Sequence, residues 1–130
     1  MKMRLRYGLP FVEMSVVYGG KTTQLVHVLV DTGSAGTLVS IDAVAKIQIE
    51  PQPQDRLRTI RGVGGTEAVF TRRIDQLEVV GTCVEDFDVE VGGMDYGFEI
   101  DGIIGTDFLT RSGAIIDMGR CELEFPIRQV

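Results

Sequence analysis

Residues Val28–Ser40, VLVDTGSAGTLVS, place an acid between two apolar runs. An Asp and a Gly alone make a turn, in which the carboxylate caps backbone amides and the glycine takes a positive φ. Here LVHVLV precedes and TLVS follows, both strand-like, so Asp31 falls on a tight loop between buried strands. A carboxylate in such a place loses hydration unless something compensates. One solution is a second carboxylate close enough to share a proton. Two such groups cannot both ionise, so their titrations split into a low and a high value. The ionised member then takes a proton from water while the protonated one polarises a carbonyl. That is hydrolysis of an amide with neither metal nor covalent intermediate.

Outward from this loop the chain reads as all-β, with sixteen glycines and many short β-branched runs. FVEMSVVYGGKTTQLVHVLV is a hairpin turning at Gly19-Gly20. After TLVS, Ser40 is placed to cap a short helix over SIDAVAKI, with Asp42 in its first turn. PQPQD, Pro51–Asp55, is a connector that resists sheet pairing. RLRTIRGVGGTEAVFTRR alternates on both sides of a glycine-rich tip, and DQLEVVG and CVEDFDVEVGG follow as strands with one wet face. GFEIDGIIGTDFLTRSG holds an apolar unit and a single helical turn, and AIIDMGRCELEF closes as a hairpin about Gly119-Arg120. No repeat appears, and Asp-Thr-Gly occurs once.

Composition narrows the function. With 130 residues the chain suits one domain, 1–130, with a real core. A net charge of −6 works against phosphate backbones, so nucleic acid is not expected as a partner. No apolar run approaches the ~18 residues of a membrane span, and the basic MKMRLR start lacks the apolar region of a secretory leader. A cytoplasmic location is the expectation. Cys83 and Cys121 then read as free thiols, although a single disulfide between them stays open. No His/Cys/Asp cluster has metal-ligand spacing, and no cofactor is expected.

Asp31-Thr32-Gly33-Ser34 resembles the active-site motif of aspartic proteases, and Ile103-Ile104-Gly105 before TDFL resembles the apolar-apolar-Gly element completing each lobe of that fold. Their order and separation are similar to those of single-lobe, retropepsin-like members, with IRGVGG in the place of the flap. The likeness runs from about Phe11 to Phe125. It implies a closed barrel or sandwich with a flap hairpin and one or two short helices. It also implies a homodimer in which each subunit gives one Asp31 to an aspartic endopeptidase acting on peptides or proteins. By the same resemblance Thr32 bonds across the dimer axis and the Gly33 amide donates to the carboxylate. Ser34 is expected to bond the outer oxygen of Asp31. Ser34, Ala35, Arg61, Gly62, Val63, Gly64 and Gly65 are the implied substrate-binding positions, although the glycine-rich tip also reads as a plain turn. Retroviral members carry acids after the loop and an Arg after the second motif. Here Ala35, Gly36 and Thr106 stand there, so the dimer contacts must differ. A catalytically silent peptide-binding or dimerisation module of the same fold is the alternative.

Other candidates read as structural. Asp101-Gly102 is a turn, Asp107 caps or opens the helix after Gly105, and EDFDVE, Glu85–Glu90, is a solvated face. His27, the only histidine, lies on a sheet face without a Ser or Cys partner. GVGGTE lacks the last glycine of a dinucleotide fingerprint, so no phosphate site is expected.

Overall fold

The computed structural model describes residues 1–62 and 65–126. Among them are ten strands: β1 (Arg4–Arg6), β2 (Leu9–Tyr18), β3 (Lys21–Val30), β4 (Leu38–Ser40), β5 (Arg58–Gly62), β6 (Gly65–Val79), β7 (Thr82–Gly92), β8 (Gly102–Ile104), β9 (Ile115–Asp117) and β10 (Glu122–Glu124). Two short helices, α1 (Ile41–Val44) and α2 (Thr106–Ser112), follow β4 and β8.

The sheet order β1-β2-β3-β8-β4-β7-β6-β5, with β2 also pairing β6, closes six strands into a ring. The expected all-β barrel is therefore present. Closure removes edges that would otherwise invite pairing with other chains. β1 and β5 hang outside the ring, each held by one neighbour. Val12, Val16, Leu25, Val28, Ile74, Leu77, Val89 and Ile104 fill the interior, each at most 1% exposed. They follow the period-2 pattern read from the sequence, except that its phase shifts between Leu25 and Val28 on β3 and between Ile74 and Leu77 on β6.

Local chemistry explains the turns. Gly19 and Gly20 take φ of 59° and 78°, the mirror-image turn whose twist matches the flanking strands, and Tyr18 pairs with Lys21. Ser40 caps α1 by accepting from the Ala43 N–H at 3.4 Å. The β5–β6 hairpin keeps its register from Arg58↔Val69 to Gly62↔Gly65, and β9–β10 pair about the expected turn.

Two differences concern element lengths. The segments ending at Arg73 and starting at Asp75 form one strand, β6, rather than two. Charges within it are paired. Arg72 is 8% exposed, donates to Asp55 Oδ2 at 2.8 Å and Glu50 O at 3.0 Å, and lies over the Phe70 ring. The single turn after Gly105 is the seven-residue α2, with its Ser112 hydroxyl donating to Phe108 O.

The terminal segments pair within the chain. Met3 N donates to Cys121 O at 2.8 Å, Leu123 N donates to Met1 O at 2.8 Å, and Lys2 and Glu122 pair backbone to backbone as an antiparallel β-bridge. Both cysteines are free thiols, Cys83 exposed and Cys121 half-buried. No helix of the described residues is long and apolar enough to cross a membrane.

Candidate active site

β3 runs parallel to β8, with Val28↔Gly102, Leu29↔Ile103 and Val30↔Ile104 in register. The two strands thus end side by side, and the loops beyond them meet. Asp31 N donates to Ile104 O at 3.0 Å, Thr106 N to Ser34 O at 2.8 Å, and Asp107 N to Ala35 O at 3.3 Å. Gly105 permits this contact. A Cβ there would stand 2.2 Å from Gly36 O and 2.7 Å from Ser34 O, both backbone atoms. Its φ of −96° is ordinary, so glycine is required for space rather than for conformation.

A second layer of bonds lies beneath. Thr37, fully buried, donates from Oγ1 to Asp107 Oδ1 at 2.7 Å and accepts from Gly105 N at 3.1 Å. Thr37 N donates to Asp107 Oδ2 at 3.2 Å. Asp107 is structural, as read, but it clamps the Asp31 loop and accepts from Phe108 N, while Gly105 stands at the helix cap.

On this base Asp31 is half-buried and its Oδ1 accepts from Gly33 N at 2.9 Å, the bond expected of Gly33. Ser34 differs from expectation. Its hydroxyl donates to Gly36 O at 2.8 Å, because the turn brings that carbonyl within reach and a hydroxyl has one proton to give. Thr32 and Ala35 are exposed on the same loop.

Asp31, Gly33 and Ser34 border a cleft of about 520 Å³. Its walls are apolar: Leu9 on β2, Ile60 on β5, Ile103 on β8, and Tyr96, Phe98 and Ile100 on segment 93–101. The β5–β6 hairpin thus borders the cleft through Ile60. Arg61, Gly62 and Gly65 belong to that hairpin's paired strands, whereas Val63 and Gly64 lie outside the described residues.

The remaining acids sort by partner. Asp101 Oδ2 accepts from Val26 N and His27 N at 3.2 and 3.0 Å, a tie between the segment and β3. Glu85, Asp86 and Asp88 are solvated as read, and Arg73 beside Asp88 holds that carboxyl below its ordinary value by hydrogen bonding. Glu90 departs from the reading. Its side chain is only 13% exposed, pairs with Arg58 of β5, and packs where Gly36 has no side chain. The walls Leu9, Tyr96 and Phe98 were missed altogether, since no local pattern marks them.

A closed β ring that presents Asp-Thr-Gly on a loop locked against an Ile-Ile-Gly segment, at the floor of an apolar cleft, defines a single-lobe aspartic-protease architecture. The chain belongs to the retropepsin-like aspartyl protease family: the family model described as "Aspartyl protease" matches residues 14–108. That span covers both motifs and the β5–β6 hairpin. A comparison with curated proteins finds no match to the chain.

Proposed function

We propose that the chain is an aspartic endopeptidase whose site forms when two copies bring their Asp31 carboxylates together. The observation that carries this reading is the position of Asp31: half-buried and bordering the cleft, its side chain accepting, among the described residues, from Gly33 N alone. A second Asp31 supplies the group with which a proton is shared, and the pair activates a water against the scissile carbonyl. Membership of the family supports proteolytic chemistry in general.

In this reading Thr32, exposed beside Asp31, bonds across the two-fold axis. Gly33 holds the carboxylate by its amide, and Ser34 and Ala35 meet the substrate backbone. Arg61 to Gly65 form a flap that closes over an extended peptide and excludes water. Residues 1–130 act as one domain, in the cytoplasm, and no metal or cofactor takes part.

The test is cleavage of a diverse peptide library by wild type and Asp31→Asn, alongside sedimentation of both. The substitution lowers turnover by about 10²–10⁴ while the dimer and the fold persist. Undiminished activity of Asp31→Asn overturns the mechanism. Peptide binding without cleavage by a wild-type dimer selects the silent-module alternative instead.

A further inference from the structure

Segment 93–101 links β7 to β8 without regular structure, yet it gives Tyr96, Phe98 and Ile100 to the wall above Asp31. Something other than a ladder of backbone bonds must fix it. Its C-terminal end is tied to β3, because Asp101 N donates to His27 O at 2.8 Å and Asp101 Oδ2 takes the His27 N–H. Nearer its middle, Glu99 sits between the two wall residues Phe98 and Ile100. Glu99 Oε1 meets His27 Nε2 at 2.8 Å and Arg6 Nη2 at 3.8 Å, and Arg6 Nη1 donates to Glu99 O at 3.4 Å. Phe98 packs in turn against Tyr7 and Phe11, with ring centroids 5.0 and 6.4 Å away.

His27 is an expensive choice for this place. Its Nδ1 is buried and has no hydrogen-bond partner among the described residues, a penalty that an apolar side chain would avoid. The compensating bond to Glu99 adds little to global stability, because Glu99 is 69% exposed. What the pair does provide is position. His27 lies on β3, four residues before Asp31, which follows the end of that strand, so the bond references the wall to the strand that leads into the carboxylate.

We infer that His27 and Glu99 are positioning residues for the cleft wall, and that their hydrogen bond sets where Phe98 and Ile100 meet an apolar substrate side chain. The inference rests on the proteolytic reading above, and it assigns His27 a role in selectivity rather than in proton transfer. Freed from His27, Glu99 lets the segment relax outward, and the site loses discrimination between large and small apolar side chains.

The experiment compares Glu99→Ala, Glu99→Gln, His27→Phe and the double variant in peptide cleavage. Each of Glu99→Ala and His27→Phe raises KM for peptides with a large apolar residue at the cleavage site by roughly tenfold, the scale on which an apolar pocket discriminates. kcat stays within about twofold, since Asp31 is untouched. Glu99→Gln, which still accepts from Nε2–H, restores most of the selectivity, and the double variant is no worse than either single one. Unchanged KM and selectivity in Glu99→Ala overturn the inference, as does a parallel loss of kcat and thermal stability that Gln fails to rescue. Hydrogen exchange separates the two readings. The Asp101 amide, which donates to His27 O, loses protection in Glu99→Ala while those of β2 keep theirs, whether or not the wild type cleaves peptides. Unaltered exchange there counts against the strut, and a wild type that cleaves nothing counts against the protease.

Discussion

Replacing Thr37 by Val tests whether the clamp beneath the Asp31 loop works as its geometry implies. The two side chains are close in size, so packing changes little and the hydroxyl is what is lost. That hydroxyl donates to Asp107 at 2.7 Å and accepts from Gly105 N at 3.1 Å, in a fully buried position. A hydrogen bond to a charged group contributes about 1.5–3 kcal/mol, and a stranded buried N–H costs about 1–3 kcal/mol more. The added methyl returns about 0.8 kcal/mol. Thr37→Val is therefore destabilised by about 2–5 kcal/mol. Urea unfolding followed by circular dichroism, at one protein concentration, measures this directly. With a slope near the middle of the range of about 1–3 kcal/mol/M the midpoint falls by roughly 1–2.5 M. Thr37→Ser keeps the hydroxyl and gives up a methyl, so it loses only about 1 kcal/mol. A Val variant within about 0.5 kcal/mol of wild type refutes the clamp, a margin typical of inert surface changes. So does a Ser variant as damaged as Val.

Gly105→Ala drives a Cβ into two backbone carbonyls; expect a loss of about 3 kcal/mol or more in the same unfolding assay, since neither atom can swing aside. Asp55→Ala leaves the buried Arg72 guanidinium without its carboxylate and lowers stability by about 3–5 kcal/mol, while Arg72→Met in the same background recovers much of it. Asp88 is held below its ordinary carboxylate value by Arg73, so its contribution is present above the unfolded value of about 3.9 and fades as pH falls through the folded one. Because the pair is half-exposed, Asp88→Asn costs at most about 1 kcal/mol near pH 7, and acid titration of stability shows the difference vanishing below the folded value. Finally, a threefold excess of Asp31→Asn chains, equilibrated with wild type, cuts activity per wild-type chain to about a quarter if each site needs two intact copies; activity unaffected by the mixture shows that one chain suffices.

The loop and its neighbours were readable because their chemistry is local. Gly19-Gly20, Ser40 and Asp31-Thr32-Gly33 each act on residues one to three positions away, and Ile103-Ile104-Gly105 carries its own apolar pattern. The cleft walls were not readable, since Leu9, Ile60 and Phe98 are brought together only by closing the ring. The same limit hid Glu90, which looks solvated in an alternating strand until β5 lays Arg58 beside it. Ser34 was misassigned for the opposite reason: its partner, Gly36 O, is adjacent in sequence, but a backbone carbonyl leaves no trace in the residue pattern.

The crossing of the two loops also dictates an order of events in time. Thr37 and Gly105 are 68 positions apart, and the backbone that fixes Asp31 comes from Ile104. Chains emerge from the ribosome N-terminus first, at about 5–20 residues per second. A nascent chain complete through β7 therefore carries Asp31 but lacks the strand that aims it and the helix that clamps it. Synthesis must therefore pass α2 before the loop that holds Asp31 is locked, so the clamp forms only once residues 68 or more positions downstream have been made.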